Sequence, residues 1–108
     1  MAFIYCPFLS DTVELTDERE RHIAEAHPDL LPDHRDCIDE ALSSPDLVRR
    51  SARVANARLF SRWFATVHGG KHVVVVVVSG AGAPRRHWVI TAYIARHASE
   101  EDVLWKRN

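Results

Sequence analysis

The chain has 108 residues, of which 46% are hydrophobic and 27% are charged, and its formal net charge is -1. This size and composition predict one globular domain, spanning residues 1–108, with a single core. The near-neutral charge excludes a protein that binds nucleic acid through overall basicity, so any such binding must use a local patch. Because Cys6 and Cys37 lie in no CxxC or Cys/His metal pattern, a reduced, cytoplasmic protein without a metal is expected.

The amino-terminal segment carries few structural signals before the first helix. Residues 1–10 are apolar and interrupted by a proline, which favours an edge segment or an arm packed on the domain. They lack the basic n-region of a signal peptide. Residues 12–15 alternate in polarity, which predicts a short strand. Thr16 is a predicted N-cap, and acids follow it, so we predict a helix over residues 17–26.

A proline determines where the first helix ends. Pro28 disfavours helical geometry at His27, which places that histidine at the helix exit. A second helix is predicted over residues 33–43, and its apolar face carries Cys37, Ile38, Ala41 and Leu42.

The second half of the chain has the period of strands. Six consecutive valines at 73–78 suit a central strand buried on both faces, and the run is too short to cross a membrane. Short turns separate the four predicted strands and permit only antiparallel hairpins. We therefore expect an α+β fold in which two N-terminal helices pack on one face of an antiparallel four-stranded meander. The predicted strands cover residues 47–53, 58–66, 72–79 and 86–95, and the tail at 99–108 is expected to cap the sheet.

Two histidines of the first helix are candidates for acid/base chemistry. In a continuous helix His22 and His27 point roughly 140° apart, so they share a pocket only if the helix ends before His27. A histidine at a helix C-terminus is favoured in its charged form. The alternative is that His22 is a surface residue and His27 a capping residue.

The last predicted strand has one polar face. Strand alternation places His87, Val89, Thr91 and Tyr93 together on it. Thr91 and Tyr93 have hydroxyl groups that can donate hydrogen bonds to an oxyanion. An ordinary solvated sheet face is the alternative.

Arginines on the earlier strands suggest a phosphate ligand. Arg58, Phe60 and Arg62 share a face by alternation, and Arg49 or Arg50 can join Arg62. Twelve of the fourteen basic residues are arginines, which suit bidentate phosphate contacts. Arginines near an aromatic ring match a phosphodiester with a stacked base. Charged strand edges that prevent aggregation, or a coding bias towards arginine, are the alternatives.

Other reaction classes lack their motifs. The chain has no GxSxG, no Gly-rich phosphate loop after a strand, and no acidic cluster with two-metal spacing. Metal-free acid/base catalysis by histidine remains if the protein is an enzyme.

Several segments, in this order and spacing, resemble one superfamily. These are VELTDERERHIAEAHPDL (13–30), ALSSPDLVRRS (41–51), FSRWF (60–64) and HWVITAYIAR (87–96). The chain resembles the phage- and mobile-element-borne nuclease-like domains of the Barnase/EndoU/colicin/RelE-like superfamily. The resemblance implies helices on an antiparallel sheet, RNA as substrate, no cofactor or metal, and for a toxin a protein inhibitor or antitoxin as partner.

The resemblance also implies a set of catalytic residues. A base takes the proton of the ribose 2′-OH, arginines stabilise the phosphoryl oxygens, and an acid protonates the leaving 5′-oxygen. The residues that match the family's positions are His22, His27, Arg50, Arg62, Thr91 and Tyr93.

Two other functions are consistent with the residues. A non-enzymatic module of a mobile element would bind RNA or a protein, with Trp63 or Trp105 joining Phe3 and Phe8 in an exposed patch. A pH-responsive binder is suggested by the seven histidines.

Overall fold

The computed structural model describes all 108 residues and shows an α+β fold with two helices and seven strands. In chain order the elements are β1 (Ala2–Cys6), β2 (Asp11–Leu15), α1 (Asp17–Ala26), α2 (Arg35–Ser43), β3 (Leu47–Arg50), β4 (Ala57–Phe64), β5 (Lys71–Ser79), β6 (His87–Ala95) and β7 (Val103–Lys106).

The sheet is larger than predicted, and the expected four-stranded antiparallel meander beneath two N-terminal helices is wrong. Seven strands form one curled, mixed sheet in the order β1-β2-β6-β5-β4-β3-β7. Two strands precede the helices, because residues 1–15 form a hairpin. β1 is an edge strand, which agrees with the edge segment and not the arm predicted for residues 1–10, and β2 contains the short strand predicted at 12–15. β2 pairs parallel with β6 at Glu14 and Trp88, and β7 extends the other edge by pairing with β3.

Local chemistry sets the limits of α1. The Thr16 hydroxyl accepts a hydrogen bond from the Arg19 backbone N–H at 3.1 Å, which satisfies one of the free donors of the first turn. The helix ends at His27, whose N–H donates to the Ile23 carbonyl at 2.7 Å. The predicted bounds of this helix are confirmed. Neither α1 nor α2 is long and apolar enough to cross a bilayer.

The core lies between the helices and one face of the sheet. Ile23 of α1 and Ile38 of α2 are fully buried in the same cluster as Phe60 of β4 and Val75 of β5. Val74 points to the opposite face of β5 and is also buried. The valine strand is therefore buried on both faces, as its composition predicts.

A β-bulge in β6 changes which side chains share a face. Val76 of β5 pairs with Thr91, but its neighbour Val77 pairs with Val89, so Ile90 is an extra residue in β6. Val89 therefore faces the core with Val77, whereas Thr91 faces the opposite side with Val76. The predicted common face for Val89 and Thr91 is wrong, because simple alternation does not continue through a bulge.

Candidate active site

A cavity with a volume of about 520 Å³ opens beside the turns at one end of the central strands. Residues flanking two hairpin turns line it: Arg50 and Arg58 beside the β3–β4 loop, and Ser79 and Arg85 beside the β5–β6 loop. Residues next to a hairpin turn face each other across the ladder. The two hairpins therefore place polar side chains from distant parts of the sequence next to one another at one end of the sheet.

Three arginines give this cavity a positive lining. Arg50 and Arg58 are direct cross-strand partners, an arrangement of like charges that destabilises a sheet. Arg85 approaches from the β5–β6 loop. None of the three forms an ion pair, since every salt bridge in the structure uses other basic groups. No carboxylate lines the cavity, so it is suited to an anion.

One residue of the cavity lining, Ser79, is hydrogen-bonded to a buried histidine. Ser79 and His87 are opposite each other on β5 and β6, and Ser79 Oγ lies 2.6 Å from His87 Nδ1. Arg58 Nη1 donates to the same hydroxyl at 3.4 Å. His87 is only 4% exposed and does not line the cavity, whereas Ser79 does. The imidazole can therefore act on a ligand in the cavity through the serine hydroxyl, and not by direct contact.

The surroundings of His87 favour a neutral ring. Burial is the main cause that holds the pKa of His87 below its usual value. The carboxylate of Asp11 acts in the opposite direction, and the charges of Arg58 and Arg85 lower the pKa further. A neutral imidazole that accepts a hydrogen bond from a serine hydroxyl is a suitable general base near neutral pH.

Apolar side chains complete the cavity on two sides. Phe8, in the turn between β1 and β2, is 36% exposed, and Leu104 of β7 is 37% exposed. The Phe8 ring packs edge-on against Phe60, with 5.9 Å between centroids and 80° between planes. An aromatic ring held in this way, next to arginines, is a surface on which a nucleobase can stack.

Only one of the predicted site residues, Arg50, lines this cavity. His22 is exposed on α1 among charged residues of the same helix. His27 ends α1, and its ring centroid lies 6.2 Å from that of Tyr93. A histidine from the first helix region was predicted to approach the strand that is now β6. His27 and Tyr93 make this approach.

The other predicted residues lie apart from one another. Arg62 Nη1 donates to the Ser44 carbonyl at 2.7 Å and to the Ser44 hydroxyl at 3.1 Å, so this guanidinium binds the C-terminal end of α2. Arg62 pairs with Val73 on the face of the sheet that carries the core, while Thr91 and Tyr93 face the other side. The six predicted residues do not form one cleft.

Sequence reasoning missed Ser79, Arg85 and the partnership of Arg58 with Arg50. Ser79 and Arg85 had a signal, because they flank the turn between the strands predicted at 72–79 and 86–95. Arg50 had none, because it lies inside the predicted strand 47–53, whereas β3 ends at Arg50 and pairs it with Arg58. Asp11 and Phe8 carried no comparable signal, since their hairpin was not predicted.

Of the aromatic residues predicted to form a docking patch, Phe8 and Trp105 line one pocket together. Phe3 lies on edge strand β1 and is 62% exposed, while Trp105 lies on β7 at the opposite edge. Trp63 lies on β4, between these edges, and its ring packs against Gly70. A Cβ atom at Gly70 would lie 2.8 Å from that ring, so the glycine permits the contact.

Comparison of the chain with protein-family models, with curated proteins and with solved structures finds no match. The similarity to nuclease-like domains therefore rests on the quoted segments alone, and the function must be argued from the cavity. No group of three or more His, Cys, Asp and Glu side chains lies close enough together to hold a metal ion.

Proposed function

We propose that this chain is a metal-independent endoribonuclease-like domain that binds and cleaves RNA at the arginine-lined cavity. The observation that carries the proposal is the set of Arg50, Arg58 and Arg85, which line one cavity without any carboxylate partner. Three unneutralised guanidinium groups match the charge and fork geometry of a phosphodiester.

The shape and lining of the cavity support a nucleotide as the ligand. A volume of about 520 Å³ lies within the usual range for small-molecule sites. The base would stack on Phe8 and the phosphate would contact the arginines. In this pose the ribose 2′-hydroxyl would contact Ser79, which also lines the cavity. Single-stranded RNA fits best, because its bases are free to leave the stack.

In the proposed reaction, Ser79 relays the 2′-hydroxyl proton to Nδ1 of His87, which is 2.6 Å from the serine oxygen. The 2′-oxygen forms a bond to phosphorus, and the bond between phosphorus and the 5′-oxygen breaks. The arginines stabilise the charge on the non-bridging oxygens. The leaving 5′-oxygen takes a proton from solvent at the open side of the cavity, which leaves a 2′,3′-cyclic phosphate.

The experiment compares wild type with Arg58→Met and with Arg21→Met, a control on α1 outside the cavity. A single-stranded RNA is incubated with each protein in EDTA, and cleavage, product ends and affinity are measured. We expect wild type and Arg21→Met to give 2′,3′-cyclic ends. Arg58→Met is expected to weaken RNA binding about tenfold or more, since a hydrogen bond to a charged group is lost.

Salt dependence provides a second measurement of the same contact. Loss of one phosphate contact should reduce the slope of log Kd against log salt by about 0.7 for a single strand. Equal affinities and slopes for wild type and Arg58→Met would contradict RNA binding at this cavity. Binding that depends on Arg58 without any product would contradict cleavage and favour the non-enzymatic RNA-binding module.

We also propose a cytoplasmic location. Cys6 and Cys37 are both free and buried, and burial raises the pKa of each thiol. Unpaired thiols are typical of proteins from reducing compartments. Detection of the protein by fractionation in an oxidising compartment would contradict this location.

A further inference from the structure

A carboxylate lies on the far side of His87 from Ser79. Asp11, the first residue of β2, has its Oδ2 atom 3.6 Å from His87 Nε2. Its other oxygen, Oδ1, accepts a hydrogen bond from the Thr12 backbone N–H at 2.7 Å. The local backbone thus orients the carboxylate, and the oxygen without that bond faces the imidazole.

We propose that Asp11 is a positioning residue that keeps the proton of neutral His87 on Nε2 and stabilises the imidazolium when Nδ1 accepts a proton from Ser79. Its effect on catalysis rests on the proposed function, whereas its effect on the imidazole does not. Ser79, His87 and Asp11 stand in the same order as the hydroxyl, imidazole and carboxylate that activate hydroxyl groups in unrelated folds. Here Ser79 is hydrogen-bonded to the ring, and Asp11 acts on it through its charge at 3.6 Å.

The charges around His87 explain why a carboxylate is needed. Ser79 of β5 contacts one side of the ring and is neutral. Arg58 of β4 and Arg85 of the β5–β6 loop bring positive charge, which opposes a second cation. Asp11 of β2 is the one carboxylate within 4.0 Å of the ring. It therefore offsets the arginines when the ring becomes protonated.

The test is Asp11→Asn, which keeps the size of the side chain and removes its charge. The control is Glu14→Gln on the same strand, because Glu14 binds Arg86 instead of His87. The pKa of the His87 imidazole is measured by NMR titration in each protein. We expect it to fall in Asp11→Asn, since a negative charge that favours the imidazolium is gone, and to stay unchanged in Glu14→Gln.

Cleavage assays give the catalytic consequence. In Asp11→Asn the acid limb of the kcat/KM profile should move to lower pH, and the plateau should fall about tenfold or more. Asp11→Glu should restore part of the plateau. A loss of packing alone would lower the plateau without moving the limb.

The two proposals fail in different ways. An imidazole pKa that is the same in wild type and Asp11→Asn, or higher in Asp11→Asn, would overturn the role of Asp11 even if RNA is cleaved. Absence of RNA cleavage by wild type would overturn the proposed function, while the NMR titration would still decide whether Asp11 controls the ring. Circular dichroism of each variant confirms that the comparison is between folded proteins.

Discussion

Replacement of His87 by glutamine is expected to slow metal-free RNA cleavage by about 10²–10⁴-fold, the usual contribution of a general base. Glutamine has a side chain of similar size that can still accept a hydrogen bond from Ser79, but it cannot take up the proton. RNA affinity should stay close to that of wild type, because Arg50, Arg58 and Arg85 are unchanged. Single-turnover cleavage and equilibrium binding, measured on the same RNA, separate the two effects.

The control for this variant is His97→Gln, which changes an exposed histidine outside the cavity. It should cleave at the wild-type rate. Full cleavage activity of His87→Gln would show that His87 is not the general base. Loss of cleavage in His27→Gln, with activity retained in His87→Gln, would instead assign catalysis to the contact between His27 and Tyr93.

The largest effect on stability is expected for Phe60→Ala, which should reduce the free energy of unfolding by about 3–5 kcal/mol. Phe60 is fully buried and pairs with Val48 on one side and Val75 on the other. Its removal leaves a hole in the core and also withdraws the ring against which Phe8 packs. Because a small domain has only about 5–15 kcal/mol of stability, the variant should unfold at a much lower urea concentration.

Val54→Ala is the matched control for Phe60→Ala. Val54 is 41% exposed in the loop between β3 and β4, and surface changes of this kind usually alter stability by less than about 0.5 kcal/mol. Urea unfolding followed by tryptophan fluorescence and by circular dichroism gives both values. If Phe60→Ala lowers the free energy of unfolding by less than about 1 kcal/mol, the core around β4 must be able to close the space that the ring leaves.

The helices could be predicted because their signals are local. Thr16 caps α1 through a residue only three positions away, and Pro28 acts on the residue immediately before it. The buried face of α2 follows from the spacing of Cys37, Ile38, Ala41 and Leu42. Such interactions depend on a few consecutive residues, so the amino-acid sequence is sufficient to infer them.

The edge strands and the face of Thr91 could not be predicted because they depend on distant partners. β7 is a strand through its pairing with β3, more than fifty residues earlier in the chain. The bulge at Ile90 lies in a segment without glycine or proline, so no residue that typically marks a bulge indicates it. One extra residue reverses the faces beyond it, so the predicted polar face of β6 was divided between two sides.

The residues of the candidate cavity differ from those that the sequence indicated. Arg58 and Phe8 line it and Ser79 links it to His87, whereas the predicted Arg62, Tyr93 and His27 lie outside it. Alternation showed which residues share a strand face. It could not show that the face of Arg62 is used to bind α2.

The amino-terminal hairpin joins the rest of the sheet through one parallel pair, Glu14 with Trp88, and is otherwise fastened by buried side chains such as Cys6 and Val13. Its turn brings Phe8 over the arginines. Few backbone hydrogen bonds of the central strands depend on that turn. Substitutions in the turn should therefore change which ligand fits beside Phe8, while Arg50, Arg58 and Arg85 keep their positions.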